Sequence, residues 1–263
     1  MEFFDSHSHY NDEAFDKDRG HIIEEAYSAG ITKILCAGYN IEKTKKAIEL
    51  AGIYPYIYAS AGISPNDLSG ISEEQIRENI SEIKELAKNE SVVAIGEIGL
   101  DYYWNKENKE LQKELFISQI ELANDLNLPI IIHTREAWQD TIKILKTYVG
   151  ADAVRPLTGV FHCCPLNQEL VKEVLGLDFY ISFAGPITYK NTKNAAEIIG
   201  IVPIEKIVLE TDCPYLSPEP KRGTRNDSRN IEIIAKKVAE IKKMKIEDIA
   251  KITYENTKRL FNI

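Results

Sequence analysis

The sequence predicts an α/β fold, a single-domain (β/α)8 TIM barrel over residues 1–263. Three observations carry this. Eight short β-rich runs alternate with longer helical patterns along the whole chain. Most of these runs are continuously apolar rather than alternating, as expected of strands buried on both faces of a parallel sheet. A length of 263 residues also suits one such barrel, for which about 250 is typical. A doubly wound open sheet is the fallback.

The expected strands, in order, are Phe3–His7, Ile31–Ala37, Tyr56–Gly62, Val92–Ile98, Pro129–His133, Gly159–Cys163, Phe179–Phe183 and Lys206–Glu210. His21–Ala29 is helix-like. In Ser72–Asn89, Ile76, Ile80, Ile83 and Ala87 share a face, and Ser72 with Gln75 forms a capping box. Lys109–Leu126 aligns Leu115, Gln119, Leu122 and Leu126. Arg135–Tyr148 aligns Trp138, Ile142 and Leu145, and Ser228–Lys243 and Ile246–Phe261 close the chain. The one Pro/Gly/basic loop, Pro218–Asn226, follows the eighth strand and so belongs on the C-terminal rim of a barrel.

Composition narrows the function. Lys+Arg is 32 and Asp+Glu 41, a net charge of −9. That argues against a nonspecific coat on duplex DNA, which needs a basic surface. It does not exclude a nuclease, because bound divalent ions reverse the local field. The start, Met1-Glu2-Phe3-Phe4-Asp5, has no basic and apolar leader, and no apolar run reaches the ~18 residues of a membrane span. A cytoplasmic location without membrane contact is expected. The four cysteines include adjacent Cys163 and Cys164. They are no disulfide framework and read as small buried hydrophobes rather than nucleophiles.

The chemistry lies in the histidines. Of five, four fall at or just past strand ends. His7 and His9 are two apart, so in an extended chain both imidazoles face one way. His133 ends the fifth expected strand and His162 the sixth. Glu97 lies near the end of the fourth, and Asp212 follows the eighth. In a barrel all six share the C-terminal face, where barrel active sites form. Four imidazoles and two carboxylates suffice for two divalent ions of Zn, Mn, Ni or Fe type, bridged by a carboxylate. His21, in its helix, reads as a surface or packing residue. Substrate contacts are expected from Tyr103 in the aromatic loop 101–104, as a stacking face. Arg135, Arg222 and Arg225, with Lys221, are expected to hold phosphate oxygens. There is no nucleophile elbow, Walker loop, His-Glu-x-x-His or dinucleotide fingerprint.

The stretches DSHSHY, VVAIGEIGLDYYW, LNLPIIIHTREAWQD, GVFHCC and IVLETDCPYLSPEPKRGTRN resemble, in order and over nearly the whole chain, the TatD family of metal-dependent deoxyribonucleases within the amidohydrolase-like barrels. The resemblance implies one metal on His7, His9, Glu97 and Asp212 and a second on Glu97, His133 and His162. It implies magnesium-dependent hydrolysis of DNA from the 3′ end; the ligand set itself suits Zn or Mn, and no obligate protein partner is expected. Two segments depart from the family. Gly62-Ile63-Ser64-Pro65-Asn66 replaces Gly-x-His-Pro-His, so Ser64 stands where an imidazole would face the scissile phosphate. Cys163-Cys164-Pro165-Leu166 replaces Cys-Phe-Ser-Gly.

The expected reaction is phosphodiester hydrolysis by metal-activated water, with Asp212 as proton acceptor, Glu97 bridging, and Ser64 near the phosphate. Two rivals stand beside it. One is ester or amide hydrolysis on the same barrel, for example deacylation of D-aminoacyl-tRNA. The other is a non-catalytic metal scaffold.

Overall fold

A computed structural model describes residues 1–68, 72–104, 106–149 and 157–263. The strands are β1 (Phe3–Ser8), β2 (Ile31–Cys36), β3 (Ile57–Ala61), β4 (Val92–Asp101), β5 (Ile130–Arg135), β6 (Gly159–Phe161), β7 (Tyr180–Phe183) and β8 (Ile207–Leu209). Their order in the sheet is the order in the chain, and every pairing is parallel. Sequential order excludes the doubly wound alternative, whose strand order reverses at a switch point. The seam is drawn together just past β8. Asp212 N–H donates to the His7 carbonyl at 3.0 Å, and His9 N–H donates to the Cys213 carbonyl at 2.7 Å. Eight parallel strands thus form a nearly closed (β/α)8 barrel.

One apolar cluster draws a side chain from every strand: Phe4, Leu35, Tyr58, Val93, Ile131, Val160, Tyr180 and Val208. Only the interior of a barrel collects residues this way. Leu260 and Phe261 join it from the C-terminal helix. A larger cluster lies between the sheet and the surrounding helices.

The helices are α1 (Arg19–Ser28), α2 (Ile41–Ile53), α3 (Glu73–Leu86), α4 (Lys109–Leu126), α5 (Trp138–Tyr148), α6 (Gln168–Gly176), α7 (Ala195–Ile201), α8 (Ile231–Lys242) and α9 (Ile246–Phe261). The Ser72/Gln75 capping box starts α3, with both reciprocal bonds formed. Two boundaries differ from the sequence reading. Arg135 is in β5, not in a helix, because β4 extends to Asp101 and pairs with it there. Glu136, at φ 53°, then turns the chain into α5. Glu97 therefore lies inside a ten-residue strand, not near its end. No helix among the described residues is long and apolar enough to cross a membrane.

Candidate metal centre

β1 delivers His7, and the residue just past its end delivers His9. The two ε2 nitrogens are 3.1 Å apart, a close approach that a shared cation would relieve. The seam bonds bring Asp212 beside them. Its Oδ1 is 3.2 Å from His9 Nε2 and 3.7 Å from His7 Nε2. Glu97 Oε2 is 3.4 Å from His7 Nε2 and 3.8 Å from His9 Nε2. The other oxygen, Oε1, is 3.1 Å from His133 Nδ1 and 3.6 Å from His162 Nε2. Those two imidazole nitrogens are 3.1 Å apart. Each carboxylate oxygen of Glu97 thus belongs to a separate donor group.

These spacings fit a divalent ion. Donors held ~2.1 Å from a common centre in tetrahedral geometry stand about 3.4 Å from one another. The five spacings among His7, His9, Glu97 and Asp212 given above run from 3.1 to 3.8 Å. The three among Glu97, His133 and His162 run from 3.1 to 3.6 Å.

The position of Glu97 has a local cause. β4 breaks register with β5 between Ile95 and Ile98. Glu97 N–H leaves the ladder and donates to the Gly38 carbonyl at 2.6 Å, past the end of β2. Glycines on both sides permit this. A Cβ on Gly96 would lie 2.5 Å from Ile131 Cβ, and one on Gly99 would lie 2.0 Å from the His133 carbonyl oxygen. Gly99 also has φ 141°, a conformation that side chains disfavour.

The charges sustain one another. Burial alone would raise the Glu97 carboxyl, but the His162, His133 and His7 imidazoles outweigh it and hold the group well below its usual range. Asp212 is likewise lowered, with burial opposed mainly by His9 and then His7. Burial would lower the imidazoles. It is outweighed at His9 by Asp212, at His133 by Asp101 and Glu97, and at His162 by Glu97 and Glu210, so all three are raised. His7 is lowered, by burial and by the neighbouring His162.

Behind these groups lie acids that the sequence reading missed. Asp101 Oδ2 is 2.9 Å from His133 Nε2, while its Oδ1 accepts from the Tyr103 and Trp104 N–H groups at 2.9 Å each. Gln112 clamps Asp101 through both its N–H and carbonyl. Glu210 Oε1 is 3.4 Å from His162 Nδ1 and accepts from Cys163 N–H at 2.7 Å. Asp5, fully buried, accepts from Thr211 N–H, Thr211 Oγ1 and Ser228 Oγ at 2.9, 2.5 and 2.6 Å. It pins the segment that carries Asp212 to β1. The signal for Asp101 was register: Asp101 pairs with Arg135 two residues beyond the Gly99–His133 pair, so its side chain falls on the His133 side.

A 690 Å3 cavity opens over the donors. His9, Glu97, His133, His162 and Asp212 face it, and its walls differ in chemistry. Past β2 and β3 the wall is polar, with Tyr39, Ser64, Asn66 and Asp67. On the β4–β5 side it is Trp104, Thr134 and Arg135. On the β6–β8 side it is mainly apolar, with Cys163, Pro165, Pro186, Tyr215 and Leu216. Ser64 both borders the cavity and caps the turn at Pro65–Asp67, its Oγ accepting from Asn66 N–H at 3.5 Å. Arg135 lies over the Tyr103 ring at 3.9 Å and over Trp104 at 5.4 Å. Tyr103 therefore backs Arg135 rather than lining the cavity itself.

Like Tyr103, three expected phosphate contacts are not among the described residues that line the cavity: Lys221 donates to Asn230 Oδ1 at 2.8 Å, and Arg225 and Arg222 are held elsewhere. Arg225 donates to both carboxylate oxygens of Asp18 at 2.8 and 2.6 Å and to the Ala14 carbonyl, so its fork is already filled. Arg222 packs over Tyr189 at 4.3 Å. His21 is on the surface, 3.3 Å from Glu25. Burial raises the Cys163 and Cys164 thiols; Cys164 is buried as expected, whereas Cys163 is half-buried and borders the cavity.

Residues 4–262 match the model of the TatD related DNase family. The chain is 44% identical to an uncharacterized metal-dependent hydrolase, YabD, of Bacillus subtilis, over 99% of both chains. It is 32% identical to the 3′-5′ ssDNA/RNA exonuclease TatD of Escherichia fergusonii over 95% of both. Among solved structures it resembles YJJV, a TatD homolog from Escherichia coli, with a TM-score of 0.90 and 27% identity over 99% of this chain and 98% of that one. A phosphotriesterase homology protein, at 14% identity and a TM-score of 0.69, shares the fold. The chain belongs to the TatD family of metal-dependent hydrolases.

Proposed function

We propose that this hydrolase cleaves phosphodiester bonds of single-stranded DNA from the 3′ end, using two divalent ions. His7, His9, Glu97 and Asp212 hold one, and Glu97, His133 and His162 hold the other. One observation carries the reading: Glu97 has one oxygen in each of two donor groups whose spacings suit a divalent ion. The relative named as a 3′-5′ ssDNA/RNA exonuclease supports the substrate class. When bound, ions such as Mg, Mn or Zn supply Lewis acidity and activate water.

The chain's own residues do the rest. Asp212 borders the cavity beside His9 and His7, where its carboxylate is placed to accept a proton from water. Arg135, stiffened by the rings beneath it, offers a guanidinium fork to phosphate oxygens. Ser64 offers a neutral hydrogen bond in the same cavity. Asp101 holds the His133 ring by a hydrogen bond, and Glu210 faces His162 Nδ1 at 3.4 Å.

End-labelled single-stranded DNA, assayed with Mg, Mn and Zn beside D-aminoacyl-tRNA, tests this. Stepwise metal-dependent shortening from the 3′ end is expected. Deacylation without DNA cleavage would favour the ester-hydrolase rival. Turnover of neither substrate with any metal would favour the scaffold.

A further inference from the structure

One carboxylate of the cavity has no place in that chemistry. Besides Glu97 and Asp212, Asp67 is the only acid among the described residues that line it. It makes no ion pair among them. Its Oδ2 accepts from Asn40 Nδ2 at 2.9 Å; burial and the neighbouring Glu97 raise its carboxyl, and Asn40 and the more distant Lys43 oppose them. The backbone beneath it is fixed. Asp67 N–H donates to the Ser64 carbonyl at 3.1 Å, and Ser64 N–H donates to the Tyr39 carbonyl at 2.8 Å. Gln119 clamps Ile63 at both N–H and carbonyl, at 2.7 and 3.0 Å. Arg135, the only Arg or Lys among the described lining residues, stands two strands away around the barrel, on β5.

We infer that Asp67 reads the free 3′-hydroxyl of the terminal nucleotide and rejects a terminal phosphate. The inference rests on the nuclease reading above. An ionised carboxylate only accepts hydrogen bonds, and it repels any phosphate brought close to it. In a cavity that takes a polyanion, the substrate group that Asp67 can favour is a neutral donor. The 3′-hydroxyl is such a donor, and an internal nucleotide lacks it. The two walls then divide the work: Arg135 takes phosphate, and Asp67 takes the chain end. Rejection of the wrong end by repulsion is specificity by exclusion.

The test compares metal-loaded wild type with Asp67→Asn, Asp67→Ser and Asp67→Glu. The substrates are 5′-labelled single-stranded DNAs ending in 3′-hydroxyl or 3′-phosphate, with each terminal base. Wild type should favour the hydroxyl end in kcat/KM by at least about tenfold. Asn and Ser should erase most of that ratio, chiefly through faster cleavage of the phosphate end. Glu, which keeps the charge, should retain it. If Asn does not fold, the Ser and Glu variants decide. Three outcomes overturn the inference while leaving the nuclease reading intact: a ratio unchanged in Asn and Ser, a preference that follows the terminal base rather than the end group, or loss of both activities in all three variants. Wild type that cleaves neither DNA would overturn the nuclease reading, and the inference with it.

Discussion

Asp212 and Asp101 are both buried carboxylates beside histidines, yet they are expected to fail differently when changed. Asp212→Asn keeps shape but removes charge and the ability to take a proton. Turnover should fall at least about 100-fold, measured as kcat under saturating metal, while the metal-free protein should lose some stability near neutral pH because His9 and His7 lose their charged partner. Near-normal kcat would remove Asp212 from the mechanism. Asp101→Asn leaves every residue assigned to an ion in place and weakens only the hold on His133 Nε2. Its main effect should be on metal affinity, by about 10–100-fold, read by competition with a chelator. Unchanged affinity would make Asp101 a simple loop brace for the Tyr103 and Trp104 N–H groups. Both kinds of residue were unequally visible in the sequence. The histidines stood out because they are few and sit at strand ends. Asp101, Glu210 and Asp5 did not, because a carboxylate near a strand end is common and only the register shows what it touches.

At the scale of elements, β4 is the strand on which the site depends. The Gly96-Glu97-Ile98-Gly99 stretch lets Glu97 leave the ladder while its neighbours remain against β5. Gly99→Ala would push a methyl into the His133 carbonyl at a φ that alanine disfavours. The expected cost is about 1–3 kcal/mol, seen in denaturant unfolding, together with weaker metal binding because both β4 and His133 must shift. A variant as stable as wild type with unaltered metal affinity would contradict this. All eight strands were legible because buried parallel strands read as continuous apolar runs. The ends of β4 and β5 were not. They extend past the apolar run by pairing with each other, Asp101 against Arg135, and neither residue looks like a strand residue alone. α2 was obscured for a related reason: its buried face includes Lys43 and Thr44, which breaks the apolar periodicity. α7, with seven residues, is too short to show one. The loop cations misled because sequence shows charge but not partners, and Asp18 had already taken Arg225.

For the whole molecule, the site links stability, metal and pH. In the metal-free protein, His9, His133 and His162 are raised above the usual 6.5. Their stabilising contribution is complete below 6.5 and is lost as pH rises through the raised values. Glu97 and Asp212 are lowered from 4.5 and 3.8. Their contribution is present above those values and is lost as pH falls through the lowered ones. A divalent ion needs unprotonated imidazoles, so its binding should release protons and strengthen with pH. The rise in melting temperature on adding Mn or Zn should be small near pH 5.5 and larger near pH 8. A rise independent of pH would mean that the ions bind away from these histidines.

The central claim is that Glu97 joins two ion sites, and the number of ions bound per chain tests it most directly. Metal titration followed by elemental analysis should give two divalent ions per wild-type chain. Glu97→Gln removes the charge and halves the carboxylate's donor oxygens, and it should weaken both sites together, since its two oxygens serve separate donor groups. Two ions held with undiminished affinity by Glu97→Gln, or a single ion per wild-type chain, would contradict the account.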